Sequence, residues 1–70
     1  MDLVYLVMEY DIETSNVQGV FTSLPKAIER AAERLHNLGD WADTSDIVID
    51  VWVVGSYAKI GSLDHNGKAK

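Results

Sequence analysis

The stretch from Ile47 to Val54, Ile-Val-Ile-Asp-Val-Trp-Val-Val, decides the fold of this chain. It is the most apolar segment of the sequence, it is rich in β-branched residues, and a length of eight is typical of a strand. We therefore predict the central strand of a sheet here. Because side chains alternate between the two faces of a strand, two sets of residues result. The set expected under a helix is Ile47, Ile49, Val51 and Val53, and the set on the other face is Val48, Asp50, Trp52 and Val54.

A single amphipathic helix precedes this strand. Ser23 is expected to cap it through its hydroxyl, Pro25 suits the first turn, and Gly39 ends it. Between these residues, apolar side chains recur at the three- and four-residue spacing of one helix face. They are Leu24, Ala27, Ile28, Ala31, Ala32, Leu35 and Leu38.

The N-terminal part reads as a β-hairpin, with strands over Leu3 to Asp11 and Val17 to Thr22. In the first strand the odd positions end in two acids, Glu9 and Asp11. An unpaired buried carboxylate is costly, so we expect the even positions to face the core. These are Val4, Leu6, Met8 and Tyr10.

After the central strand, Gly55-Ser56 suits a tight hairpin turn, and a fourth strand is expected over residues 57–60. The whole pattern predicts an α+β domain, β-β-α-β-β, whose antiparallel sheet has the order 2-1-3-4 and carries one helix on one face. We assign residues 1–62 to this domain and residues 63–70 to a flexible C-terminal tail.

Charge argues against nucleic acid as a partner. The chain has 70 residues and a formal net charge of -5, and its acids are concentrated in residues 1–22 and 40–50, which contain no Lys or Arg. Both segments repel phosphate. The chain has no Cys, and it shows neither the basic start of a signal peptide nor the roughly 18 apolar residues of a membrane span. We expect a cytoplasmic protein, bacterial or in a phage-infected host, without a membrane partner.

The candidate site is the sheet face opposite the helix. On the assignment above, this face combines an apolar and aromatic centre with carboxylates, a composition that favours a contact surface. The alternative is a modestly exposed face on which Tyr5 and Trp52 form a cross-strand pair that stabilises the register. The candidate interaction residues are Tyr5, Val7, Glu9, Asp11, Val48, Asp50, Trp52 and Val54.

No motif points to catalysis, a metal or a cofactor. Asp40, Asp43 and Asp46 lack the spacing of a calcium loop. Glu9 and Asp50 could face each other across adjacent strands as an acid pair, but a chain this short offers little room for a cleft. We therefore predict a non-enzymatic protein with no catalytic residue and no metal ligand.

The N-terminal part resembles a group of small phage and bacterial proteins of unknown function. The resemblance lies in Tyr5-Leu6-Val7 with Glu9-Tyr10, in Gly19-Val20-Phe21, and in Lys26-Ala27 at the start of the helix. It covers roughly the first 30 residues and leaves out the part from Asp40 onward. It implies a compact cytosolic protein, with a phage as one source, and it brings no catalytic residue with it.

These observations predict a small acidic interaction module that forms a homodimer through the open sheet face and binds another protein. If the source is a phage, inhibition of a host or defence protein is the expected action, because the acids Glu9, Asp11 and Glu13 could occupy a basic groove. The alternative is a small-molecule or nucleotide-binding module whose ligand lies near Tyr5 and Trp52.

Overall fold

A computed structural model describes residues 2–41, 46–55 and 58–70. Within these residues the sheet has four strands, and one α-helix packs on it. All strand pairs are antiparallel, and the strand order 2-1-3-4 confirms the predicted α+β topology. The elements are β1 (Leu3–Tyr10), β2 (Ser15–Phe21), α1 (Leu24–Leu38), a 3-10 turn (Gly39–Trp41), β3 (Ile47–Val53) and β4 (Lys59–Leu63).

The ends of α1 follow from backbone geometry. Ser23 is extended, and its carbonyl accepts a hydrogen bond from the Ala27 amide at 3.1 Å, but its hydroxyl makes no capping bond. Pro25 lies in the first turn, where the missing N–H costs nothing. Gly39 ends the helix with a positive φ of 58°, and its amide donates to the carbonyls of Leu35 and His36.

The core lies between α1 and the centre of the sheet. Ile47 and Ile49 of β3 are fully buried there, as predicted. Val7 of β1 is also fully buried in this core, against Ala27 and Ala31 of the helix. The odd positions of β1 therefore face the helix, and the prediction that its even positions form the core is wrong.

Strand register explains the correction. Directly opposed residues of an antiparallel pair share a face, and Val7 lies opposite Ile49 while Glu9 lies opposite Ile47. The odd positions of β1 must then lie on the same face as the odd positions of β3. Glu9 is tolerated on this face because the guanidinium of Arg34 binds it, with 2.6 Å between Nε and Oε1 and 3.3 Å between Nη2 and Oε2.

The strand after the hairpin turn begins later than predicted, at Lys59. Gly55 has a positive φ of 80°, which suits the predicted turn, while Ser56 and Tyr57 lie outside the described residues. A bulge between Val51 and Trp52 shifts the pairing of β3 with β4. Extra residues at a bulge displace strand boundaries that a regular alternation would place earlier.

The C-terminal residues, predicted as a flexible tail, adopt a hydrogen-bonded turn. The carboxylate of Asp64 accepts from the amides of Asn66 and Lys68, each at 2.9 Å. These bonds lower the pKa of Asp64 below its usual value, the bond from Lys68 having the larger effect. Beyond the turn, the Lys70 amide donates to the Ser62 carbonyl at 3.4 Å, so the end of the chain lies along the outer edge of β4.

Candidate functional site

The candidate site is the sheet face opposite α1, on which no described helix or strand packs, and which we call the uncovered face; at its centre Val48 and Asp50 are buried, at 4% and 3% exposure, while Val17 and Val20 at its margin are exposed. The strand register identifies the residues of this face. Each is directly opposed to another residue of the face in a neighbouring strand, or it follows the alternation along its own strand. Most of them are apolar, and they come from all four strands. They are Val4, Leu6, Met8 and Tyr10 of β1, Val17 and Val20 of β2, Val48, Asp50 and Trp52 of β3, and Lys59 and Ser62 of β4.

The predicted interaction residues do not share one face. Val48, Asp50 and Trp52 lie on the uncovered face, as expected from the alternation of β3. Tyr5, Val7 and Glu9 lie on the helix side, where Tyr5 packs against the core. Asp11 is exposed in the turn after β1, and Val54 follows β3 with 56% of its surface exposed.

Two pairings considered from the sequence do not form. Trp52 lies opposite Val4, so Tyr5 and Trp52 are on opposite faces and cannot build the cross-strand pair or a shared ligand site. Glu9 lies opposite Ile47, whereas Asp50 lies opposite Leu6 on the other face. The two carboxylates are therefore separated by the sheet, and the acid pair is absent.

A polar cluster lies within this largely apolar face. Its centre is Asp50, which is only 3% exposed. The Ser62 hydroxyl donates to Asp50 Oδ1 at 2.7 Å, and the Tyr10 hydroxyl donates to Oδ2. Lys59 Nζ lies 3.6 Å from Oδ1. Because buried charges are stable only when paired and hydrogen-bonded, these three partners explain how an acid is accommodated in the central strand.

The cluster changes the acidity of Tyr10. The hydrogen bond to Asp50 raises the pKa of Tyr10 to about 12, and partial burial and the nearby negative charge act in the same direction. The hydroxyl therefore stays protonated and donating at neutral pH. Tyr10 is itself 36% exposed, so the cluster lies beside solvent and can be covered by a partner.

The uncovered face carries almost no net charge. Among its members only Asp50 and Lys59 are charged, and they have opposite signs and form an ion pair. The chain as a whole has a formal charge of -5. The excess negative charge therefore lies elsewhere, and another surface can approach this face without strong repulsion.

The sequence alone missed four of the residues that matter here: Met8, Tyr10, Lys59 and Ser62. Alternation alone predicts Tyr10 in the core, and no local pattern connects Lys59 and Ser62 with Asp50. The signal that could have found them is the antiparallel pairing of β1 with β3. Once Val7 is placed opposite Ile49, every even position of β1 joins Asp50 on the second face.

Two other kinds of site, a metal site and a membrane-spanning helix, are not found in the described residues. In residues 2–41, 46–55 and 58–70, no group of three or more His, Asp or Glu side chains could hold a metal ion. Asp43, considered above for a cation, lies outside these residues. The helix of the described part falls short of the length and apolarity needed to cross a membrane.

Comparison with known proteins gives no relative. No protein-family model, no curated protein and no solved structure matches the chain. The resemblance to small phage and bacterial proteins stays a prediction.

Proposed function

We propose that the chain is a small, non-enzymatic protein-interaction module that acts as a homodimer and binds another protein through the uncovered face. One observation carries the proposal. In a strongly acidic chain, a largely apolar sheet face that spans four strands and is free of net charge has no described helix or strand packed on it, and Tyr10, Val17 and Val20 of this face are exposed. Such a face on a small domain is typical of a surface that a protein partner covers.

The chemistry of the face fits a protein better than a nucleic acid or a small charged ligand. Leu6, Met8 and Trp52 are each partly buried and apolar. Aromatic residues and Met are enriched where proteins meet. The charged groups at its centre already pair with one another, and they leave no unsatisfied buried side-chain polar atom in the described part of the chain.

The inhibitor form of this function relies on fewer acids than the sequence indicated. Glu9 binds Arg34 inside the chain, so it is not free to enter a basic groove. Asp11 and Glu13 remain exposed in the turn between β1 and β2. In a phage-encoded inhibitor of a host or defence protein, these two acids would lie beside the uncovered face and contact basic residues at the rim of the target.

The test compares two variants that introduce the same residue. Met8→Gln places a polar group of similar length on the uncovered face, while Ala32→Gln places it on the exposed side of α1. Proteins bound from a bacterial lysate by the immobilised wild type are identified by mass spectrometry and then purified. For a true partner we expect at least about a tenfold weaker affinity with Met8→Gln and unchanged affinity with Ala32→Gln.

Circular dichroism of both variants checks that they are folded. If a purified partner binds both variants as tightly as the wild type, the uncovered face is not its contact surface. If purified proteins show no measurable affinity for the wild type, the interaction function itself is wrong.

A further inference from the structure

The two edge strands of the sheet differ in whether their outward backbone groups are hydrogen-bonded. At the β4 edge, the end of the chain supplies a hydrogen bond from Lys70 to the outward carbonyl of Ser62, and Ala69 bridges to Leu63. At the other edge, β2 (Ser15–Phe21) pairs with β1 on its inner side, and no described strand pairs with its outer side. This segment also contains no Pro and no charged residue, although such residues normally protect a free edge.

The register shows which backbone groups of β2 point outward. The Val54 amide bonds to the Asp2 carbonyl at 3.0 Å, so even positions of β1 direct their backbone toward β3 and odd positions direct theirs toward β2. Val20 and Val17 lie opposite the even positions Leu6 and Met8. Both valines therefore present their N–H and C=O groups at the free edge.

A bulge makes this edge self-complementary. Val17 and Val20 are three residues apart, but their partners Met8 and Leu6 are only two apart. The bulge therefore places the outward N–H and C=O groups of Val17 and Val20 as far apart as residues i and i+2 of a regular strand. This is the spacing of hydrogen-bonded pairs in an antiparallel ladder. In an antiparallel pair of two β2 strands, Val17 of each copy lies opposite Val20 of the other. The extra outward carbonyl, that of Gln18, is already satisfied by Arg30 Nε at 3.0 Å.

The side chains support the same pairing. Val17 and Val20 are 53% and 62% exposed on the uncovered face. When the β2 strands of two copies pair, these valines form cross-strand pairs, and their apolar surface is removed from water. The single chain leaves these two valines more exposed than Tyr10 on the same face.

The helix side carries a matching charge pattern. A groove of about 290 Å³ lies between β2 and α1, lined by Phe21, Lys26, Glu29, Arg30 and Glu33. A two-fold axis perpendicular to the sheet at the middle of β2 makes the two helices antiparallel. The bond from Arg30 to Gln18 places the part of α1 around residues 29 and 30 beside that axis. Residue 26 then faces residue 33 of the other copy, and residue 29 faces residue 30. Each of these pairs joins a base to an acid.

The expected distance between the two helix axes allows these contacts. The helix contacts β2, β1 and β3, so its axis lies near β1, and two helices across the junction are about three strand spacings apart, roughly 14 Å. Helices that pack directly are closer than this. Long Lys, Arg and Glu side chains fill a gap of this width.

We propose that two copies of this chain associate by antiparallel pairing of their β2 strands, which forms one continuous sheet and leaves the uncovered faces of both copies free for another protein. This inference rests on the proposed homodimer and assigns it to the β2 edge. The partner is a second copy because backbone spacing, apolar side chains and helix charges are all self-complementary about one axis.

The first test measures solution mass by light scattering. We expect the wild type at twice the chain mass of 7.8 kDa. Val20→Pro removes an outward N–H without touching the bonds to β1, and we expect a monomer. Val20→Thr keeps the donor and the β-branched shape, and we expect a dimer. Circular dichroism confirms that each variant is folded.

The second test is a charge exchange on exposed helix positions, where folding is not at risk. Lys26→Glu places like charges opposite each other, and we expect about tenfold weaker dimerisation at low salt. Adding Glu33→Lys to the same chain restores opposite charges and should restore the affinity. A double variant as weak as Lys26→Glu would overturn the two-fold arrangement.

The outcomes separate the two proposals. A monomeric wild type overturns the homodimer and the edge pairing together. If the wild type is a dimer that Met8→Gln dissociates and Val20→Pro does not, the edge pairing is wrong while a homodimeric interaction module stands. If Val20→Pro fails to fold, the charge exchange decides.

Discussion

Asp50 is the residue whose environment governs the uncovered face. A carboxylate in the middle of an apolar strand would destabilise the sheet if it were left alone. Here Ser62, Tyr10 and Lys59 surround it, so it is retained at only 3% exposure. The cluster also joins β1, β3 and β4 through side chains, in addition to the backbone ladder.

Tyr10 makes the cluster sensitive to alkaline pH. Its pKa is about 12 in the folded chain and about 10 when unfolded. Because the folded value is raised, the stabilisation from its hydrogen bond to Asp50 is complete below pH 10 and is lost as the pH rises through 12. We expect wild type to be more stable than Tyr10→Phe at pH 8, with the difference in free energy of unfolding shrinking above about pH 10.

Urea denaturation of both proteins between pH 8 and 12 measures this difference. Tyr5 and Tyr57 are present in both proteins, so the comparison isolates the hydroxyl of Tyr10. A difference that stays constant across the range would contradict the proposed bond.

At the scale of elements, β2 contains a close contact between a glycine and an aromatic ring. Gly19 lies beneath the Phe21 ring, and a Cβ added there would be 2.6 Å from Cε2 and 2.9 Å from Cζ. The same strand is bound to α1 by Arg30 through the Gln18 carbonyl. The packed position of the Phe21 ring therefore depends on the absence of a side chain at residue 19.

Gly19→Ala should destabilise the fold by about 1–3 kcal/mol, because the ring must move out of its packed position. Gly61→Ala is the control, since a Cβ at this position of β4 meets no heavy atom within 4 Å. We expect the control to be unchanged or slightly stabilised. Thermal unfolding of the two variants measures the contrast, and equal losses would show that the Phe21 contact is unimportant.

At the scale of the whole molecule, the fully buried core is small. Its members are Val7, Ile47 and Ile49 with Ala27 and Ala31. Chains of this length bury a limited fraction of their surface and gain from association. A homodimer would therefore contribute to the stability of each copy as well as to the contact area.

Mass action then makes the unfolding temperature depend on protein concentration. For a dimer of this size, each tenfold increase in concentration should raise Tm by about 4 °C. Val20→Pro should unfold at a lower temperature that does not change with concentration. Differential scanning calorimetry over a hundredfold range measures both slopes, and a wild-type Tm independent of concentration would be evidence against the homodimer.

Much of the fold was predictable from local patterns. The eight-residue apolar run, the three- and four-residue spacing of α1, the helix start marked by Pro25 and its end marked by Gly39 identify the elements and their order. These signals are readable because each depends on residues close together in the chain. The order of the strands follows from the short connections, which make β1 and β2, and β3 and β4, neighbours, and from the single crossover through α1, which brings β3 beside β1.

The chain itself therefore determined the elements, the topology and the two sets of side chains on each strand. Tertiary structure decided which set of β1 meets the helix, because the pairing of Val7 with Ile49 places the odd positions on that side, where Arg34 binds the Glu9 carboxylate. It also decided that Asp50 is satisfied, that the β4 edge is closed by the chain end, and that the β2 edge is open in the described residues. Each of these outcomes joins residues distant in sequence, so local alternation could not resolve it.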